Sequence, residues 1–95
     1  MATLGNRKNT AQIIEKYQFD FRKKFGQNFL IDNNILDKII ESAKITQEDC
    51  VLEIGPGIGT MTQRLAEAAG EVVAVEIDRH LIPILAETLA EYDNV

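Results

Sequence analysis

Glycines alternate with other residues in the stretch EIGPGIGT, which begins at Glu53 and lies between two apolar segments. The glycines are Gly55, Gly57 and Gly59. Glycine is used where the backbone needs a positive φ, or where a ligand must lie against the backbone. A second carboxylate, Glu76, follows the first glycine by about 20 residues, a spacing at which an acidic side chain can accept hydrogen bonds from ribose hydroxyls. These residues predict a loop that binds an adenosine-containing cofactor.

Two apolar segments and an intervening helix must position this loop. The segments CVLEI (50–54) and EVVAVEI (71–77) are predicted as buried strands. Residues 60–69 are predicted as the helix between them, with Gly70 as its C-terminal glycine. The apolar face of that helix is predicted to consist of Met61, Leu65, Ala68 and Ala69. A strand–helix–strand unit with short loops implies parallel strands and a right-handed crossover, so the glycine loop and Glu76 should meet at one sheet edge.

Three further helices are predicted around this unit. They span residues 10–17, residues 33–43 and a segment from residue 78 or 79 to about residue 92. Thr10 and Asp32 are the predicted N-caps of the first two, and Pro83 is tolerated in the first turns of the third. The predicted apolar faces are Ile13, Ile14 and Tyr17; Ile35, Leu36, Ile39, Ile40 and Ala43; and Leu81, Ile82, Leu85 and Leu89.

Length and composition indicate a small globular domain. The chain has 95 residues, 45% of them hydrophobic, and no apolar run reaches the roughly 20 residues of a membrane span. The N-terminal residues lack the apolar core of a signal peptide. The single Cys50 fits a reducing, cytoplasmic location and opens an apolar run, so it is predicted to be a small core residue rather than a nucleophile. His80 has no metal-ligand partner nearby in sequence and is predicted to be solvated, and no metal is expected.

Charge is divided unevenly along the chain. Residues 1–30 contain six basic and two acidic residues, whereas residues 31–95 contain four basic and thirteen acidic residues. A basic N-terminal arm of this kind can contact a polyanion, although an ordinary solvated leader has the same composition.

The ligand of the glycine loop is either a dinucleotide or S-adenosyl-L-methionine. Dinucleotide sites have a third small residue where this chain has Thr60. Glu53 is poorly placed for a pyrophosphate, which prefers the positive end of a helix, but well placed for the ammonium group of S-adenosylmethionine. The pattern E-x-G-x-G-x-G therefore favours S-adenosylmethionine over NAD, and a tight turn without a ligand remains a third alternative.

These residues resemble a known family. VLEIGPGIGTMT, followed by VVAVEID, is similar to the first two motifs of class I S-adenosylmethionine-dependent methyltransferases, and KKFGQNFLID (23–32) resembles the signature of ribosomal RNA adenine dimethyltransferases. The resemblance covers about residues 17–95 and is strongest to the housekeeping small-subunit branch. The macrolide-resistance enzymes of the family usually have Ser and Lys where this chain has Pro56 and Ile58.

The resemblance implies an α/β chain forming the N-terminal part of a Rossmann-like class I methyltransferase fold. Residues 1–30 would be a basic segment with a short helix and a loop on the cofactor and RNA side, and residues 31–95 the first, incomplete part of the cofactor domain. Members transfer methyl groups from S-adenosylmethionine to N6 of adjacent adenosines in small-subunit ribosomal RNA, which makes the immature small ribosomal subunit the expected partner. The cofactor-binding residues that it implies are Asn28, Leu30, Gly55, Gly57, Glu76 and Ile77, with Gln27 and Phe29 orienting their segment.

No catalytic residue is expected in these 95 residues. The family's Asn/Asp-x-Pro-Tyr/Phe motif does not occur here, since the only prolines are Pro56 and Pro83. The chain is therefore expected to be part of a longer enzyme and inactive alone. Two alternatives remain open: a non-catalytic RNA-binding or ribosome-assembly module with a vestigial cofactor pocket, and an NAD-dependent oxidoreductase.

Overall fold

A computed structural model describes residues 3–5, 7–17 and 33–95, and it contains four helices and two strands within those ranges. In chain order they are α1 (Arg7–Tyr17), α2 (Asn33–Ala43), β1 (Cys50–Ile54), α3 (Thr60–Ala68), β2 (Glu71–Val75) and α4 (Ile82–Thr88). The predicted order of elements is confirmed. The aromatic and basic segment 19–30 and the predicted cap Asp32 lie outside the described residues.

The two strands pair in parallel, as the short connections predict. The register runs from Cys50 opposite Glu71 to Ile54 opposite Val75. The backbone N–H of Gly55 donates to the carbonyl of Val75 at 2.9 Å, which extends the ladder by one bond beyond β1. The glycine loop therefore leaves the sheet at the edge where β2 also ends.

Helices cover one face of this sheet. Leu65, Ala66 and Ala69 pack on Val72 to form a buried cluster. The partly buried side chains around this cluster are Ile40, Ile45, Val51, Met61 and Tyr92. Since successive strand residues point to opposite faces, the remaining residues of both strands form a second face.

That second face is open to solvent, and the prediction of fully buried strands is wrong for it. Leu52, Ile54, Val73 and Val75 are 64%, 72%, 47% and 45% exposed. Both strands are apolar, but within the described ranges helices cover only the opposite face of the sheet.

Cys50 also lies on the open face, so the prediction of a core residue is wrong. Its thiol donates to the Glu71 carboxylate with an Sγ to Oε1 distance of 3.2 Å. This hydrogen bond is the main reason that the pKa of Cys50 is raised above its ordinary value. A raised pKa keeps the thiol protonated at neutral pH, which agrees with the prediction that Cys50 is not a nucleophile.

A second apolar cluster joins α1, the glycine loop and α4. It consists of Leu4, Ile13, Ile58, Leu81 and Ile84, all nearly inaccessible to solvent. The N-terminal residues are thus part of the core beneath the glycine loop.

Helix boundaries differ from the predictions at both ends of the chain. α1 begins at Arg7, so Thr10 lies inside the helix, buried, and is not its N-cap. α4 begins at Ile82, after a turn in which the N–H of Leu81 donates to the carbonyl of Asp78 at 3.0 Å. Its first turn contains Pro83, as predicted.

Helix faces were predicted only in part. Along α4 the inward positions are Leu81, Ile84, Leu85 and Thr88, an i, i+3, i+4, i+7 pattern, and Ile82 is exposed. On α2 only Leu36 is buried and Ile40 partly so, because this helix contacts its neighbours along one narrow stripe. Ile35, Ile39 and Ala43 are exposed.

Gly70 is required for a different reason from the one predicted. The C-cap residue of α3 is Ala69, which has an extended conformation. Gly70 is not among the glycines with positive φ. A Cβ at Gly70 would instead overlap the backbone carbonyl oxygen of Gln47. The Gln47 side chain caps the helix, because its amide nitrogen donates to the carbonyls of Glu67 and Ala68 at 3.2 and 2.9 Å. Close backbone approach therefore explains this glycine.

None of the helices in the described part of the chain is long and apolar enough to cross a lipid bilayer.

Two neighbouring, isosteric substitutions test which face of β2 is covered. We expect Val72→Thr to lower the free energy of unfolding by about 1–3 kcal/mol, because it buries a hydroxyl in an apolar cluster. Val73→Thr, on the open face, should change it by no more than about 0.5 kcal/mol and should reduce self-association of the 95-residue chain. Urea denaturation and sedimentation velocity measure the two effects. Equal losses of stability would contradict the one-sided arrangement.

Candidate functional site

The glycine loop turns sharply because three of its residues have positive φ. Gly55, Gly57 and Gly59 have φ values of 72°, 62° and 97°, a region that other residues rarely adopt. The N–H of Gly59 donates to the carbonyl of Pro56 at 3.0 Å and closes the turn. A Cβ placed on Gly55 would find no atom within 4 Å. The backbone at Gly55 is therefore accessible from outside the loop.

The Glu76 carboxylate lies against this loop. One oxygen accepts a hydrogen bond from the N–H of Gly57 at 3.2 Å, and the other accepts from the N–H of Asp78 at 2.9 Å. The first bond joins two segments that are 19 residues apart in sequence. Each oxygen retains a second lone pair, so the carboxylate can also accept from the hydroxyls of a ligand.

Glu53 is a second glutamate at the carboxyl ends of the strands, and it is half-buried. It is the penultimate residue of β1 and accepts a hydrogen bond from the Thr62 hydroxyl on α3. Burial raises the pKa of Glu53 above its ordinary value, and the hydrogen bond from Thr62 opposes this shift. A cation beside Glu53 would offset the cost of keeping its charge partly out of water.

Ile77 completes the group of residues at the carboxyl ends of the strands. Its side chain is 77% exposed, and it lies two residues beyond the end of β2. β2 itself ends at Val75, two residues earlier than predicted. An exposed apolar side chain beside a carboxylate is suited to packing against a flat, apolar ring system.

The structure thus brings together four of the six predicted cofactor-binding residues: Gly55, Gly57, Glu76 and Ile77. Asn28 and Leu30, together with Gln27 and Phe29, lie outside the described residues.

The charges at this edge disfavour a phosphate ligand. The N–H of Gly57, which could otherwise bind an anion, already donates to the Glu76 carboxylate. Glu53 adds a second negative charge at the base of the same loop. A pyrophosphate would meet the Glu53 carboxylate at the base of the loop, whereas a cationic group would be complemented by it.

His80 is exposed, as predicted, with its Nδ1 atom 3.0 Å from the buried Asp78 carboxylate. Within the described ranges, no group of three or more His, Cys, Asp or Glu side chains could hold a metal ion.

Two buried polar residues of α3 were missed by the sequence analysis. Thr62 and Gln63 are 0% and 1% exposed, and both make side-chain hydrogen bonds to other elements. Their residue types are only a weak signal of burial, since hydroxyl and amide side chains can be buried when they are hydrogen-bonded. Their partners, however, lie on elements distant in sequence.

The raised pKa of Glu53 predicts a pH-dependent effect of Glu53→Gln. The native state binds the Glu53 proton more tightly than the unfolded state, so wild-type stability falls as pH rises above the ordinary value of 4.5 and through the raised native pKa. We expect Glu53→Gln to raise Tm at neutral pH, because it removes a half-buried charge and retains an acceptor for Thr62. The difference should vanish below the ordinary value.

Thermal denaturation over roughly pH 3–8 measures the effect, because this range includes both the ordinary pKa of a glutamate and neutral pH. The matched control is Glu48→Gln, at an exposed turn residue, which should leave the profile unchanged. A Glu53→Gln variant that is less stable than wild type at neutral pH would contradict the account.

Comparison with known proteins places this geometry in a family. The ribosomal RNA adenine dimethylase family matches residues 18–95. Proteins named ribosomal RNA small subunit methyltransferase A are similar to the whole chain: that of Lachnoclostridium phytofermentans is 66% identical over 96 residues, and that of Alkaliphilus oremlandii is 55% identical over 95. In both cases 100% of this chain is covered and 33% of the relative. The chain therefore spans about a third of the length of the curated relatives it matches.

Solved structures agree with the fold. A dimethyladenosine transferase from Plasmodium falciparum is 40% identical with a TM-score of 0.59, over 66% of this chain and 24% of that one. The 23S rRNA methyltransferase ErmE is also 40% identical, with a TM-score of 0.65, over 70% of this chain and 28% of that one. The parallel strands, glycine loop and helices are thus part of a Rossmann-like methyltransferase fold, and the chain belongs to the ribosomal RNA adenine dimethylase family.

Proposed function

We propose that the protein containing this chain transfers methyl groups from S-adenosylmethionine to the N6 atoms of adjacent adenosines in small-subunit ribosomal RNA. The observation that carries the choice of methyl donor is the partly buried carboxylate of Glu53, at the base of the loop whose backbone is open at Gly55. S-adenosylmethionine has an ammonium, a sulfonium, a ribose diol and no phosphate. It supplies an electrophilic methyl group, and this chain's residues bind and orient it.

Each residue of the site has a proposed role. Glu76 accepts hydrogen bonds from the ribose hydroxyls with the lone pairs that its two backbone contacts leave. Ile77 packs against the adenine ring, and Glu53 balances the ammonium charge. Gly55 and Gly57 let the methionine portion lie against the backbone. Asn28 and the backbone of Leu30, whose roles rest on family resemblance, contact the cofactor from the N-terminal side.

The substrate assignment is supported by the relatives. The curated relatives carry the name of a ribosomal RNA small subunit methyltransferase. A basic segment of six cationic and two acidic residues over positions 1–30 is suited to a polyanionic partner such as the immature small ribosomal subunit. We place the enzyme in the cytoplasm, with no metal in its reaction, and we assign the catalytic motif to residues other than these 95.

Titration of the full-length protein with S-adenosylmethionine and with NAD tests the choice of cofactor. We expect calorimetric binding of S-adenosylmethionine and its demethylated product and no binding of NAD, because a pyrophosphate would meet the Glu53 carboxylate. The same preparation should methylate small-subunit ribosomal RNA. Tighter binding of NAD would favour an oxidoreductase. The absence of both S-adenosylmethionine binding and methylation would favour a non-catalytic RNA-binding module.

A charge-neutralising pair of variants tests Glu76 in the full-length protein. Glu76→Ala should weaken S-adenosylmethionine binding roughly tenfold or more, because it removes a charged acceptor of two hydroxyls and part of the loop's support. Glu71→Ala removes the carboxylate at the first residue of β2, at the other end of that strand from Glu76, and should leave the affinity within about twofold. Unchanged affinity in Glu76→Ala would show that this carboxylate does not contact the cofactor.

A further inference from the structure

A chain of buried hydrogen bonds connects the N-terminal residues to the glycine loop. The backbone N–H of Leu4 donates to the side-chain oxygen of Gln63 at 2.9 Å. The side-chain nitrogen of Gln63 donates to the carbonyl of Thr88 at 2.8 Å, and the Thr88 hydroxyl donates to the carbonyl of Ile58 at 2.7 Å. All four residues are at most 1% exposed. Three segments distant in sequence are therefore held by two side chains.

Gln63 determines how far apart two of these segments lie. Its amide has one acceptor and one donor group, and each is used by a different segment: the acceptor by Leu4 and the donor by α4. Because buried polar groups without partners are costly, neither segment can move away without leaving part of the amide unpaired.

Thr88 contacts the glycine loop at two successive residues. Its hydroxyl holds the carbonyl of Ile58, and it lies 2.9 Å from where a Cβ on Gly59 would be. Gly59 has a φ of 97°, so the turn at this point depends on both the missing side chain and the hydroxyl behind it. The ligand-facing side of the loop, at Gly55, lies on the same short turn.

The N-terminal residues contact the same elements at further points. Leu4 and Ile13 pack in one apolar cluster with Ile58, and Lys16 near the end of α1 forms an ion pair with Glu87 on α4. α1 is thus packed against the elements that hold the loop. The segment that carries Asn28 and Leu30 begins directly after it.

We propose that Gln63 and Thr88 are positioning residues for the methyl-donor site, holding the glycine loop, α4 and the N-terminal residues at Leu4 in one arrangement. The inference rests on the proposed function. Neither side chain is proposed to touch the donor: Thr88 acts through Ile58 and Gly59, and Gln63 acts through Leu4 and Thr88. Docking of the N-terminal residues and donor binding are consequently coupled, and each strengthens the other.

Thr88→Val and Thr88→Ser in the full-length enzyme form the central test. Val preserves the shape and removes the hydroxyl, whereas Ser preserves the hydroxyl. We expect Thr88→Val to raise the Kd and KM for S-adenosylmethionine roughly tenfold, with kcat at saturating donor within about twofold of wild type. Thr88→Ser should restore both constants to within about twofold of wild type.

Gln63→Met provides a second variant, which breaks both arms of the connection at similar side-chain volume. It removes the oxygen that accepts from the N–H of Leu4 and the nitrogen that donates to the Thr88 carbonyl, so donor affinity should fall as in Thr88→Val. Hydrogen exchange adds a direct measure of coupling: donor binding should slow exchange in residues 3–17 of wild type and have a smaller effect in Gln63→Met.

All measurements are made well below the Tm of each variant, so that a purely structural role would lower Tm and leave Kd and KM unchanged. That result would overturn the inference and leave the proposed function intact. A wild-type enzyme that does not bind S-adenosylmethionine would overturn the proposed function, and this inference with it.

Discussion

The hydrogen bond between the backbone of Gly57 and the Glu76 carboxylate is the contact on which the site depends. It exists because β1 and β2 run parallel and in register, which brings the ends of both strands to one edge. The glycines allow the loop to turn back over that edge, and the carboxylate then satisfies one of its amides. Sheet topology, loop conformation and the charge presented to a ligand therefore follow from one arrangement.

The ionised side chain of Glu53 lowers the stability of the fold. Glu53 is half-buried, and burial raises its pKa, so the ionised side chain is less stable here than in water. Thr62 recovers part of this cost through its hydrogen bond. Residues arranged for binding are often not those that stabilise a fold best, and a cationic ligand would relieve the cost when it binds.

α3 separates two kinds of packing. Leu65, Ala66 and Ala69 make an apolar contact with the covered face of the sheet, where shape alone determines the fit. Thr62, on the same side of this helix, and Gln63, on an adjacent side, make directional hydrogen bonds to β1, to the N-terminal residues and to α4. Apolar packing tolerates small shifts, whereas a buried amide with two partners permits few positions, so the polar contacts define the geometry near the loop.

The order and type of the described elements and the parallel pairing of the strands could be predicted from the sequence, because periodicity, turn residues and glycine patterns are local properties. The proximity of Glu76 to the glycine loop could be predicted for the same reason, since their spacing follows from a strand–helix–strand unit, whereas Ile77 was implied only by the family resemblance. That Cys50 and Leu52 face solvent could not be predicted, because an apolar strand has the same sequence pattern whichever of its faces is covered by helices. The tertiary structure also decided the roles of Gln63 and Gly70, whose partners, Leu4, Thr88 and Gln47, are brought to them by packing between elements that sequence periodicity does not relate.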